Sequence, residues 1–213
     1  MSAFAYAQLT NKRELAPPGA CSGAVRPPGC PRPYGAGLDP TSQYREFARA
    51  VETVPSIANL RALADECIRL GRHDEAIDLY KSALTGMHQT EPGAMLGLAM
   101  AEFRKGDAGA AAATLDRLFA ANPDFNSTEA DLLAARILEA RGRLPEALSA
   151  YERLSATYPG EEAKGRMALL LQRTGAEQRA RAMFAEIRKS VERGPAFYRR
   201  AQREWYEIAR RHA

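Results

Sequence analysis

Apolar residues fall at helical intervals through most of this chain, in segments that come in pairs. Leu60, Leu63, Ala64 and Cys67 form one stripe, Met95, Leu98 and Ala99 a second, Ala134, Ala135 and Leu138 a third, and Met167, Ala168 and Leu171 a fourth. Spacings of three and four place each set on one side of a helix. Each stripe runs up to a glycine, and Gly71, Gly106, Gly142 and Gly175 recur at steps of 35, 36 and 33 residues. Five residues past each glycine stands an alanine (Ala76, Ala111, Ala147, Ala180), and four further on a large apolar residue (Tyr80, Leu115, Tyr151, Phe184). The pattern predicts a helix before and after each glycine, a two-helix unit repeated four times. No alternating strand pattern competes, and alanine-rich segments with few β-branched residues favour helix.

The residue types suit such a unit. A glycine can reverse the chain in the left-handed conformation at no steric cost. Ala64, Ala99, Ala135 and Ala168, facing Ala76, Ala111, Ala147 and Ala180, let paired helices approach closely, while the large residues fill the space to the next unit. Pro123 and Pro159, each seventeen residues after a glycine, end second helices. The register is weakest at Glu102, where an apolar residue is expected, and at Asp131 and Lys164, where a bulky one is. A short helix with Tyr44, Phe47, Ala48 and Val51 on one face is expected from about Ser42 to Val51. After Gly194-Pro195 a single helix over 195–212 is expected as a cap, burying Phe197, Ala201, Trp205, Ile208 and Ala209 and presenting Arg199, Arg200, Arg203, Arg210 and Arg211 on its other side.

This register resembles the tetratricopeptide repeat over roughly residues 57–192. The resemblance implies an all-α fold, a right-handed α-solenoid of about four helix–turn–helix repeats with a C-terminal capping helix. The chain then divides into a Pro/Gly-rich arm over 1–41, a short helix within 42–56, the repeats over 57–194 and the basic amphipathic cap over 195–213. Carrying over the family's inward positions gives a peptide-binding groove of Arg61, Leu96, Met100, Phe103, Arg104, Leu132, Arg136, Leu169 and Arg173, with Asp65, Ile68, Glu129, Glu139 and Gln172 beside them. An apolar centre flanked by arginines suits an amphipathic or extended peptide bearing carboxylates. The N-terminal arm or a second copy of the chain are the other occupants that strip could have. The positions at which chaperone-tail receptors of this family hold a terminal carboxylate carry Arg61, Asp65, Gly97, Glu129 and Leu133 here, so that clamp is not expected.

A narrower likeness runs from Ser42 through Asn122-Pro123-Asp124-Phe125, Tyr158-Pro159-Gly160 and Phe197-Tyr198-Arg199-Arg200 with Glu204-Trp205. These resemble a group of bacterial tetratricopeptide proteins whose N-terminal membrane segment is similar to that preceding phospholipase D-type synthases. In its place this chain has an arm holding seven of the thirteen prolines and five glycines in its first forty residues, for which regular structure is not expected. No run of about 18 apolar residues suggests a membrane span, and Met1 to Leu9 lacks the marks of a secretory signal.

Charge adds an asymmetry. Residues 56–159 carry 11 basic and 15 acidic side chains, whereas residues 160–213 carry 13 and 7. The basic end is either a solvated cap face or a footprint for an anionic membrane or an acidic protein; aromatics are not interleaved with the arginines, which speaks against nucleic acid. Cys21, Cys30 and Cys67 form no CxxC pair, so reduced cysteines in the cytoplasm are expected, with Cys21 to Cys30 as the one pairing open to an oxidant. His73, His88 and His212 are scattered, Glu161-Glu162 reads as the acidic first turn of a helix, and Asn126-Ser127-Thr128 as a helix cap. With no catalytic constellation, metal site or cofactor motif, the chain is expected to be no enzyme but a scaffold binding a protein or peptide. The alternatives are an assembly factor at the inner-membrane surface, working through the basic helix, and a helical regulatory subunit of an enzyme.

Overall fold

A computed structural model describes residues 41–212. The expectations for the arm, for Met1 to Leu9 and for the pairing of Cys21 with Cys30 lie outside the described residues. The described chain is helical from end to end: α1 (Ser42–Thr53), α2 (Ile57–Arg69), α3 (His73–Ala83), α4 (Pro92–Lys105), α5 (Ala108–Ala121), α6 (Thr128–Ala140), α7 (Leu144–Thr157), α8 (Glu162–Arg173), α9 (Glu177–Arg193), α10 (Ala196–Ala201) and α11 (Arg203–Arg211), with a 3-10 turn at Gly86–His88. No strand occurs among the described residues.

Local chemistry sets the boundaries. Gly71, Gly106, Gly142 and Gly175 all have positive φ, between 75° and 100°, and each closes the first helix of a unit. N-termini are capped by Ser56, Glu91, Asp107 and Ser127, whose side chains accept the backbone N–H three residues on. Ser127 is therefore a cap, as its place in the sequence suggests.

Helices pair within each unit, α2 with α3, α4 with α5, α6 with α7 and α8 with α9, and each second helix packs on the first helix of the next unit. The first helices also stack directly, α2 on α4 and α4 on α6, so they form the inner row of a curved all-α solenoid. The alanines at the helix crossings are sealed: Ala64, Ala76, Ala99, Ala111, Ala135, Ala147 and Ala168 are wholly inaccessible and Ala180 nearly so. Tyr80, Tyr151 and Phe184 fill the joints between units. A Cβ at Gly97 would clash with the edge of the Tyr80 ring, so only glycine lets that ring pack against α4. Cys67 is buried on the α2 stripe, and burial pushes its thiol up to about 12. The joint between α5 and α6 is packed more lightly than its counterparts, and a six-residue link, 122–127, crosses it.

The exceptions in the register have separate causes. Glu102 is buried because Thr114 Oγ1 of the partner helix donates to its Oε2 at 2.7 Å. Asp131 is solvent-exposed, and Lys164 reaches Glu186 at 3.1 Å, so neither position lies in the core.

The C-terminal cap differs from the expected single helix. The chain breaks at Gln202, whose Oε1 accepts the backbone N–H of Glu161 at 2.9 Å, and the turn there lays α11 across α8 and α9. Phe197 is 59% exposed rather than buried, and Ala201 is exposed too. Tyr198 turns inward instead, its hydroxyl donating to Glu161 Oε1 at 2.8 Å alongside Ser190 Oγ at 2.5 Å. Glu161 is only 2% exposed. Its role is to tie the cap down, not merely to complement a helix dipole. Burial, with the bond to Glu161 adding to it, pushes the Tyr198 hydroxyl up to about 12. Trp205 lies against Gly165, and Ala209 is fully buried.

Candidate functional site

The inner row of first helices holds a cleft of about 200 Å³ at the lightly packed joint. Met100, Phe103 and Arg104 of α4 form one wall, Glu129, Leu132, Leu133 and Arg136 of α6 the other, and Tyr158 and Glu162 close the end. Pockets for drug-sized ligands run from ~300 to 1,000 Å³, so this one has room for a single large side chain.

The expected groove residues divide into three groups. Met100, Phe103, Arg104, Leu132 and Arg136 come together at the cleft. Met100 and Phe103 are half-buried, and Arg104 is exposed with no ion pair among the described residues. Leu96, by contrast, is buried in the core beneath, where Met95, Ala99 and Leu133 join it, and Leu169 packs half-buried on the core of the last two units. Arg61 and Arg173 are engaged within the fold: Arg61 pairs with Glu91 at 3.1 Å and lies over Gly93, and Arg173 donates to Glu139 at 2.8 Å.

Reading by family position overlooked Tyr158 and Glu162. Tyr158 follows the last turn of α7, outside the first-helix positions that the resemblance supplies, whereas Glu162 opens α8, 33 residues after Glu129, the step from Gly142 to Gly175, and the repeat register alone would have placed it there. A signal was present, since Tyr158 immediately precedes Pro159 and a helix end facing the next unit is where an aromatic can reach the groove.

Charge in the cleft is unevenly compensated. The Arg136 guanidinium lies over the Phe103 ring at 4.9 Å, and its Nε is buried without a hydrogen-bond partner among the described residues. Its nearest carboxylate, Glu162, is 3.9 Å away. The same Glu162 oxygen accepts from Arg166 Nε at 2.8 Å, and the Arg166 guanidinium lies over Trp205 at 5.5 Å. Burial first, and then the charge of Arg166, hold Arg136 below the usual arginine range.

At the positions of a carboxylate clamp, Asp65 accepts a hydrogen bond from the Tyr80 hydroxyl, Gly97 underlies the Tyr80 ring, and Leu133 is buried. Burial raises the Asp65 carboxyl above its ordinary value, and it raises Tyr80 as well. These residues serve the joint between the first two units. At the other end, Arg199, Arg200, Arg203, Arg210 and Arg211 are all exposed; Arg199 donates to the Gly194 carbonyl, and Arg210 pairs with Glu207. No helix among the described residues is long and apolar enough to cross a membrane.

Comparison with known proteins agrees with this architecture. Two family models described as tetratricopeptide repeat match residues 68–137 and 129–160. Among solved structures, a thermophilic TPR protein of Thermus thermophilus, TTC0263, is similar at 20% identity and TM-score 0.59, over 79% of this chain and 86% of that one. MamA is similar at 22% identity and TM-score 0.57, over 70% and 86% of the two chains. YrrB, described as a TPR protein with an unusual peptide-binding site, is similar at 16% identity and TM-score 0.54, over 68% and 75%. A search of curated proteins finds no sequence match. At these identities the structures speak for the fold alone, but that fold, the two family models and the four glycine-closed units agree, and the chain carries tetratricopeptide repeats.

Proposed function

We propose that this protein is an interaction module that binds a peptide segment of a partner protein in the groove of its inner helices. The supporting observation is the cleft between α4 and α6, where Met100 and Phe103 stay half-exposed beside Leu132 and Tyr158 and are flanked by Arg104, Glu129, Arg136 and Glu162. A segment that inserts one large apolar side chain there would cover both residues. Acidic neighbours on that segment would meet Arg104 and Arg136. Peptides selected from a random displayed library on the full chain test this. Met100→Glu or Phe103→Glu should weaken the selected peptides at least about tenfold, because each puts a carboxylate where the apolar side chain would insert and, beside Arg104 and Arg136, takes up the charge an acidic peptide would meet. Helical content and melting temperature should not change. Exchanging Arg104 and Arg136 for Glu together should act mainly on the acidic peptides. Retention of binding by both apolar-site variants would rule out the cleft as the working surface.

A second reading rests on the cap, where Phe197 stands exposed beside Arg199, Arg200 and Arg203. This surface would dock on anionic lipid. Ionic strength separates the two, since screened attraction between exposed charges collapses as salt rises and apolar insertion does not. Binding to phosphatidylserine vesicles that is lost between low and high salt, and lost with Phe197→Ser, would favour the cap.

A further inference from the structure

The cleft and the C-terminal cap share a carboxylate. Glu162 Oε1 lies 2.8 Å from Arg166 and 3.9 Å from Arg136, so one oxygen serves two guanidinium groups, fully bonding only the first. Arg136 faces the cleft, stacked on Phe103; Arg166 faces the cap, stacked on Trp205. Phe103, Arg136, Glu162, Arg166 and Trp205 thus form one contiguous row from the groove to the last helix. Trp205 is the chain's single tryptophan.

Arg136 is the incompletely satisfied member of this row. It lacks a partner for Nε among the described residues and sits too far from Glu162 for a hydrogen bond. A partly buried guanidinium in that state gains from any further acceptor that reaches it. The acceptor that fits is a monovalent carboxylate. Glu129 and Glu162 also line the cleft and would repel a dianion such as a phosphate monoester, while the small volume leaves room for one side chain and its acid group.

We propose that Arg136 receives an acidic group of the bound segment in place of its long contact with Glu162, and that Glu162, then held by Arg166 alone, transmits occupancy of the cleft to Trp205 and the cap. This rests on the reading of the cleft as a peptide site. It deepens that reading in two ways. The ligand is an apolar residue carrying or adjoining a carboxylate, and the cap becomes a second point from which affinity is set. Because coupling free energy is reciprocal, whatever tightens Arg166 on Glu162 also frees Arg136 for the ligand.

N-acetyl-phenylalanine is a probe of that chemistry, and its neutral amide is the control. Each is titrated into the full chain while the Met100 methyl is followed by NMR and Trp205 by its fluorescence. The acid should move both signals with one midpoint. The amide should move only Met100 and bind about fivefold more weakly, as expected when a partly exposed ion pair is lost. In Glu162→Gln the acid should bind about fivefold more tightly, its competitor gone, and Trp205 should no longer respond. In Arg136→Gln acid and amide should bind alike. An acid that moves Met100 with no response at Trp205, or an affinity unchanged in Glu162→Gln, overturns the coupling and leaves the peptide cleft standing. If neither compound moves Met100, the cleft itself is not a binding site, and the coupling falls with it. Wild-type melting of both variants shows that the changes are local.

Discussion

Truncating Tyr151 to alanine should lower the melting temperature by about 10 °C, through a loss of roughly 3–5 kcal/mol. The ring is wholly inaccessible and lies in the cluster that joins α6 and α7 to α8, with Ala147, Ala163 and Met167 around it. Removing it opens a cavity that the neighbours cannot close, because the crossing alanines have no more side chain to offer. The hydroxyl is a smaller matter. It donates to Glu139 Oε2 at 2.9 Å, but Glu139 also accepts from Arg173, so Tyr151→Phe leaves no carboxylate stranded and should cost about 1 kcal/mol. Calorimetry of the two variants separates the contributions. If alanine at this position melts like the wild type, the joints are not where this array holds together. The same variant is the control for groove substitutions, since it should lose peptide binding only through unfolding.

Deleting residues 195–213 should be at least as damaging. The cap covers Phe184, Ile187 and Val191 with Tyr198, Tyr206, Ile208 and the fully buried Ala209, while His212 stacks on Phe184 at 5.3 Å. Repeat arrays make only neighbour contacts, so nothing else can cover that face. Net of the entropy of ordering the tail, its loss should remove on the order of 5 kcal/mol. Glu161 would meanwhile lose the Tyr198 hydroxyl and the Gln202 amide that organise its corner. Aggregation on gel filtration, or a melting point well below that of the full chain, is the expected result. A truncated protein that melts cooperatively at the original temperature would show that α10 and α11 are an appendage and not a cap.

The fold was legible in the sequence because its period is carried by residues with few alternatives. The glycines must turn the chain with positive φ, and the alanines must admit a neighbouring helix, so both leave a mark that position alone reveals. The cap was only half legible. Helical spacing placed Trp205 and Ala209 inward correctly, but it cannot detect a helix broken by a distant hydrogen bond, and Gln202 reaches Glu161 across 41 residues. The same holds for Glu161, which looks in sequence like any acidic residue at a helix start. Family positions include five residues that line the cleft, Met100, Phe103, Arg104, Leu132 and Arg136. They could not show that Arg61 and Arg173 are drawn away by Glu91 and Glu139, because ion pairing between units depends on the superhelix and not on the repeat. Glu102 escaped for a related reason: its partner Thr114 stands on the other helix of the unit, and the pair is meaningful only once the two helices are laid side by side.

The lightly packed joint between α5 and α6 has a mechanical consequence. A solenoid bends most easily where its units share the least surface, and the most lightly packed joint of this one coincides with the cleft, whose walls belong to α4 on one side and α6 on the other. A side chain inserted in the cleft between α4 and α6 would act as a strut across that point, stiffening the array and fixing its curvature. Strain applied elsewhere, by a tether at either end or by a neighbouring assembly, would conversely widen or narrow the gap, making the width of the cleft a variable set by the shape of the whole superhelix.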